Sequence, residues 1–63
     1  MKIDLHGIRH EDVEKLLEDF ILLNEPPFRI ITGNSIRMKE IVVEVLDKHV
    51  FEYSDFGSSI IAG

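Results

Sequence analysis

Polar and apolar residues alternate with period two over Lys2-Ile3-Asp4-Leu5-His6, which predicts a first strand with one buried face. Ile3 and Leu5 then point to one side, Lys2, Asp4 and His6 to the other, and Gly7 ends the run. From about His10 the period lengthens: Val13, Leu16, Leu17, Phe20 and Ile21 fall at i, i+3, i+4, i+7 and i+8. That spacing lays one apolar stripe along a helix reaching to about Leu23. Glu11 and Asp12 occupy its first turn, where acidic side chains favour the helix dipole. Asn24-Glu25-Pro26-Pro27 stops it, because proline lacks the N–H and holds the residue before it extended.

Phe28-Arg29-Ile30-Ile31-Thr32 predicts a buried, β-branched second strand. Gly33-Asn34-Ser35 reads as a tight turn with a serine N-cap, leading into a second helix from about Ile36 to His49. Its stripe is Met38, Ile41, Val42, Val45, Leu46 and His49. Phe51 and Tyr53 alternate in a short third strand, residues 54–58 form a turn, and Ser59-Ile60-Ile61 a last strand. The order β-α-β-α-β-β predicts an α/β two-layer sandwich. In it a small mixed sheet has parallel strands joined by right-handed crossovers, an antiparallel strand added by the terminal hairpin, and both helices on one face. No linker or repeat divides the chain, so residues 1–63 are expected to form one domain.

Composition narrows the class of protein. With 44% hydrophobic and 30% charged residues the chain is of ordinary globular type and unlike a disordered one. A domain of 63 residues buries only about 60% of its unfolded surface. Strand pairing between two copies would add burial, so a homodimer is a reasonable expectation. The absence of cysteine excludes disulfides and thiolate metal sites. No apolar run approaches the roughly 18 residues of a membrane span, and no basic segment followed by an apolar one marks a signal peptide. The expectation is a soluble, cytoplasmic protein with no membrane partner. Seven Lys+Arg against 12 Asp+Glu leave a net charge of −5, the wrong sign for affinity built on many phosphates. A local basic patch is still compatible with that balance, and an acidic surface suits a protein partner.

Chemistry concentrates in two places. Alternation puts Asp4 and His6 on one face of the first strand, roughly 6.5–7 Å apart. A carboxylate there could orient the imidazole, or both could approach one substrate group or ion. The bland alternative is two polar residues on a solvent face. The second place is Thr32-Gly33-Asn34-Ser35, at the carboxyl end of a strand and the start of a helix, where ligands bind in parallel α/β units. Free amides and the positive helix end suit a phosphate, and Arg37 and Lys39 add positive charge. An ordinary glycine turn with a serine cap accounts for the same residues. Parallel first and second strands would bring His6 and Thr32 to one edge of the sheet. His6 and His10 have metal spacing for a helix, but Gly7 intervenes and no dedicated metal site is expected. His49 reads as a packing residue at a helix boundary. Phe51, Tyr53 and Phe56 have the chemistry to stack on bases, although a core this small has first claim on aromatic residues.

Ile3-Asp4-Leu5-His6-Gly7-Ile8, opening a β-α-β-α-β-β chain, resembles the small MutS-related (Smr) domain family. That family opens with Leu-Asp-x-His-Gly-Leu and carries His-Gly-x-Gly after its second strand, where this chain has Thr32-Gly33-Asn34-Ser35. Gly57-Ser58-Ser59-Ile60-Ile61 is similar to the glycine-then-apolar strand that closes those domains, so the resemblance spans nearly the whole chain. It implies a short, stand-alone and divergent member with a fold like the C-terminal domain of translation initiation factor three. It also implies binding of RNA or DNA and endonuclease activity, with Asp4 and His6 in cleavage. Thr32, Gly33, Asn34 and Ser35 would contact substrate beside Arg37 and Lys39, and a divalent cation such as magnesium would be the one cofactor. The departures are Thr32 for the motif's histidine and Ser35 for its second glycine. Threonine donates a hydrogen bond but shuttles no proton at neutral pH. The alternative is a non-catalytic module that binds a protein or ribosomal partner at the same edge.

Overall fold

The elements run β1 (Lys2–Asp4), α1 (His10–Leu23), β2 (Phe28–Ile31), α2 (Ile36–Lys48), β3 (Tyr53–Asp55) and β4 (Ser59–Ala62). They are seen in a computed structural model that describes residues 1–63. The four strands form one sheet in the order β1-β2-β4-β3, with β1 parallel to β2 and β4 antiparallel to both neighbours. Both helices pack on one face of it, the two-layer α/β sandwich expected from the element order.

Placement of β4 between β2 and β3 follows from side-chain polarity. Ser59, Ile60 and Ala62 of β4 are buried, whereas all three residues of β3 are exposed. The apolar strand takes the centre and the polar one the edge, where unpaired backbone groups meet water. In β2, Phe28 and Ile30 are buried, but Arg29 is exposed and Ile31 half-buried. The strand is covered on one face only, not enclosed as its run of apolar residues predicts.

The core gathers Val13, Leu17 and Ile21 of α1 and Met38, Ile41, Val42, Val45 and Leu46 of α2. They close on Leu5, Phe28, Ile30, Ile60 and Ala62. Leu16, part of the predicted stripe, is 43% exposed. With a single helical neighbour, α1 buries a narrower arc than its sequence offers. At the end of α2, His49 is the C-cap rather than the last helical residue, and Val50 takes a left-handed φ of 60°. The Phe51 amide then donates to the Leu46 carbonyl at 2.9 Å, closing the helix end. This reversal removes Phe51 from the third strand and sets its ring edge-on to Phe28, with centroids 5.5 Å apart. Strand β3 therefore begins at Tyr53 and extends into the segment expected to turn.

A polar clasp joins the two helices. Glu18 Oε2 lies 2.8 Å from Lys48 Nζ and 3.3 Å from His49 Nε2, with Glu14 3.8 Å from the same ammonium. His49 is thus half-buried, with its imidazole serving a carboxylate instead of apolar packing. Hydrogen bonding to Lys48, then to His49, holds the Glu18 carboxyl below its ordinary 4.5. The bond to Glu18 in turn raises the Lys48 ammonium above its ordinary 10.5.

Two outcomes follow from this packing. Leu17 has no exposed surface, so Leu17→Ala should lower unfolding free energy by about 2–5 kcal/mol. Leu22→Ala, at a residue 74% exposed, should change it by no more than about 0.5 kcal/mol. Urea titration of both variants checks the helix face. The lowered carboxyl of Glu18 contributes stability above pH 4.5, lost as pH falls through its folded-state value. The raised ammonium of Lys48 contributes below pH 10.5, lost as pH rises through its own folded-state value. Urea midpoints of Glu18→Gln should therefore fall less steeply than the parent's on acidification below pH 4.5.

Candidate functional site

Strand β1 ends at Asp4 because its own carboxylate caps the turn that follows. Asp4 Oδ1 accepts from the His6 backbone N–H at 2.9 Å, and Gly7 completes the reversal with φ of 85°. Leu5 stays buried and donates its amide to the Ile31 carbonyl at 2.8 Å. His6 is therefore in a turn rather than on the strand, and the side-by-side placement expected from alternation is lost. The carboxylate orients the backbone of His6, not its ring.

The ring goes instead to the second motif. A Cβ built on Gly33 would stand 3.1 Å from His6 Cδ2 and 3.9 Å from Cγ, so the imidazole lies directly over this glycine. Gly33 also has φ of 68°, a left-handed conformation that residues with a Cβ rarely adopt. The parallel pairing of β1 with β2 thus brings Asp4, His6 and Gly33 to one sheet edge, as the element order predicts.

Thr32 plays a structural part there. It is 2% exposed, and its hydroxyl donates to the Gly33 carbonyl at 2.9 Å and lies 3.4 Å from that of Ser58. The amides of Thr32 and Gly33 both donate to the Ser58 carbonyl at 3.0 Å. This corrects the expectation that the Gly33 amide faces a phosphate: the β3–β4 turn already uses it. Asn34 is exposed, and the amides of Asn34 and Ser35 make no hydrogen bond within the chain. Ser35 is the N-cap expected, its Oγ accepting from the Met38 amide at 3.1 Å.

The two cations are held back from the edge. Arg37 Nη1 lies 3.8 Å from Glu40, and Lys39 Nζ lies 3.6 Å from Asp55. Asp55 also accepts from the Gly57 amide at 2.8 Å, which shapes the β3–β4 turn and carries Phe56 outward at 65% exposure. Phe56 is thus absent from the core that had first claim on it. Ser58, Asp55 and Phe56 are additions to the edge that motif matching passes over. An Asp-Phe-Gly sequence in a turn was the available signal, since its aromatic residue has no period to bury it.

No three His, Asp or Glu side chains come together as a cation site. The two carboxylates at this edge, Asp4 and Asp55, each have an oxygen already bound to a backbone amide, of His6 and of Gly57, and Asp55 is also paired with Lys39. The residues present do not form a protein cage for magnesium. No family model, curated protein or solved structure matches the chain.

Because a side chain at Gly33 would meet both a strained φ and the His6 ring, Gly33→Ala should cost about 1–2 kcal/mol of stability. It should also shift the His6 ring-proton resonances. Denaturant titration and a proton spectrum of the variant check both effects.

Proposed function

We propose that the chain is a divergent Smr-like domain that binds nucleic acid, with RNA as the favoured ligand. The observation that carries this reading is the His6 imidazole seated on Gly33, which joins the two motif segments into one edge. Support also comes from Asn34 and Ser35, which immediately precede α2 and whose amides have no partner in the chain. They can donate to phosphate oxygens, and the two ring nitrogens of His6 offer a donor and an acceptor.

Cleavage, where it occurs, rests on His6. The imidazole accepts the proton of a ribose 2′-hydroxyl as that oxygen attacks phosphorus. The bond to the 5′-oxygen breaks, and the leaving alkoxide takes a proton from water. The Asn34 and Ser35 amides stabilise the charge that develops on the phosphoryl oxygens. Asp4 acts as a positioning residue by holding the His6 backbone.

Labelled single-stranded RNA, duplex RNA and DNA, offered to the parent, Asp4→Ala and His6→Ala with magnesium and with chelator, test the reading. RNA binding should fall about tenfold or more in His6→Ala, since a hydrogen bond to a charged oxygen is worth about 1.5–3 kcal/mol. Any cutting should fall by about 10²–10⁴ in the same variant and be absent on DNA, which lacks the 2′-hydroxyl. Binding without cutting means a recognition module. Neither binding nor cutting assigns the edge to a protein or ribosomal partner, which the net charge of −5 and the paired Arg37 and Lys39 would suit.

A further inference from the structure

Strand registers define a second face of the sheet, turned away from both helices. Lys2 pairs with Arg29, Arg29 with Ile61, and Ile61 with Ser54, forming one row across all four strands. Asp4, Ile31 and Ser59 form the next row toward the His6–Gly33 edge. Between these rows and the β3–β4 turn lies a shallow depression of about 330 Å³, lined by Lys2, Arg29, Ile31, Ser58 and Ser59. Ser58 is also the residue whose carbonyl binds the Thr32 and Gly33 amides. The depression is therefore continuous with the candidate site.

Charge divides sharply between the two layers. Of the 12 acidic residues, five lie on α1 and three on α2, whereas the open face carries Asp4 on β1 and, at the far edge beside Ser54, Glu52. Arg9, Arg37, Lys39 and Lys48 each have a carboxylate partner. Lys15 on α1, Lys2 and Arg29 have none within ion-pairing distance, and of these Lys2 and Arg29 stand side by side on adjacent strands, about 4.8 Å apart at the backbone. A chain of net charge −5 thus keeps two uncompensated cations together on its one helix-free surface.

We infer that the open sheet face is the track for the ligand strand, with Lys2 and Arg29 each neutralising a backbone phosphate. This rests on the nucleic-acid reading of the edge and extends it to a second surface. Arg29 is four residues from Gly33, about 13 Å along an extended strand, so a short oligonucleotide reaches both. The half-buried Ile31 and Ile61 offer apolar contact between the cations and the edge. Single-stranded nucleic acid fits this combination of phosphate contacts and apolar surface in an open groove. It also answers the charge objection, because the repelling carboxylates sit mostly on the opposite layer.

The test is fluorescence anisotropy of a short labelled oligouridylate over a salt series. The variants are Lys2→Gln, Arg29→Gln, their double, His6→Ala and Lys15→Gln, the last removing an exposed cation from the helical layer. Each lost phosphate contact should reduce the slope of log K against log salt by about 0.7, and the double by about 1.4. Lys15→Gln should leave it unchanged, and circular dichroism confirms that each variant is folded. Binding that depends on His6 but keeps its full slope in the double variant overturns the track and leaves the edge reading intact. A slope that falls in the double while His6→Ala binds like the parent supports the track and removes the edge. Failure of the parent to bind RNA overturns both readings, and preferential binding of polyglutamate overturns both in favour of an acidic protein partner on the open face.

Discussion

Two helices cover a four-stranded sheet from one side, and most features of the molecule follow from that single-sided burial. Phe28, Ile30, Ile60 and Ala62 face the helices and vanish from solvent, while Arg29, alternating with them, stays wet. The same pleat leaves Lys2 beside Arg29 on the bare face. Each helix has one partner helix and one sheet, which is why the buried arc of α1 excludes Leu16. A third layer would enclose both faces but would need a core larger than 63 residues can supply.

Polarity within the hairpin then decides how the His6–Gly33 edge is built. Strand β4 enters the sheet beside β2 because it is the apolar member, and its leading turn lands against the end of β2. The Ser58 carbonyl there takes both the Thr32 and Gly33 amides. That contact holds Gly33 in its left-handed turn beneath the His6 ring and projects Phe56 outward on the same side. The price is that one amide expected to greet a phosphate is already satisfied. The positive potential of the edge is lowered further by the ion pairs of Arg37 and Lys39. The amides of Asn34 and Ser35 and the cations of the neighbouring open face are what the fold leaves free at this end of the sheet.

Much of this architecture was legible in the chain. Helical spacing in residues 13–21 and 38–46, the proline stop and the serine cap locate α1, β2 and α2 within a residue or two. Their alternation with strands correctly implies parallel β1 and β2, and so the meeting of His6 with Gly33. Less legible were features governed by hydrogen bonds across long separations. Alternation alone extends β1 to His6, but the Asp4 carboxylate competes for the next amide and ends the strand early. Phe51 reads as a strand residue until the left-handed Val50 turns it toward Phe28. His49 fits an apolar stripe, yet its partner is Glu18, 31 residues away.

Local periodicity and turn chemistry act over a few residues, and these the sequence by itself determined: the elements, their order and the pair of motif segments. Tertiary structure alone decided which strand takes the centre, which cations are paired, and where Phe56 and Ser58 come to rest. Those outcomes depend on competition among groups far apart in the chain for the same buried positions and the same hydrogen-bond partners. Sequence patterns record what each segment can bury or donate. Only the folded arrangement settles which claim is met.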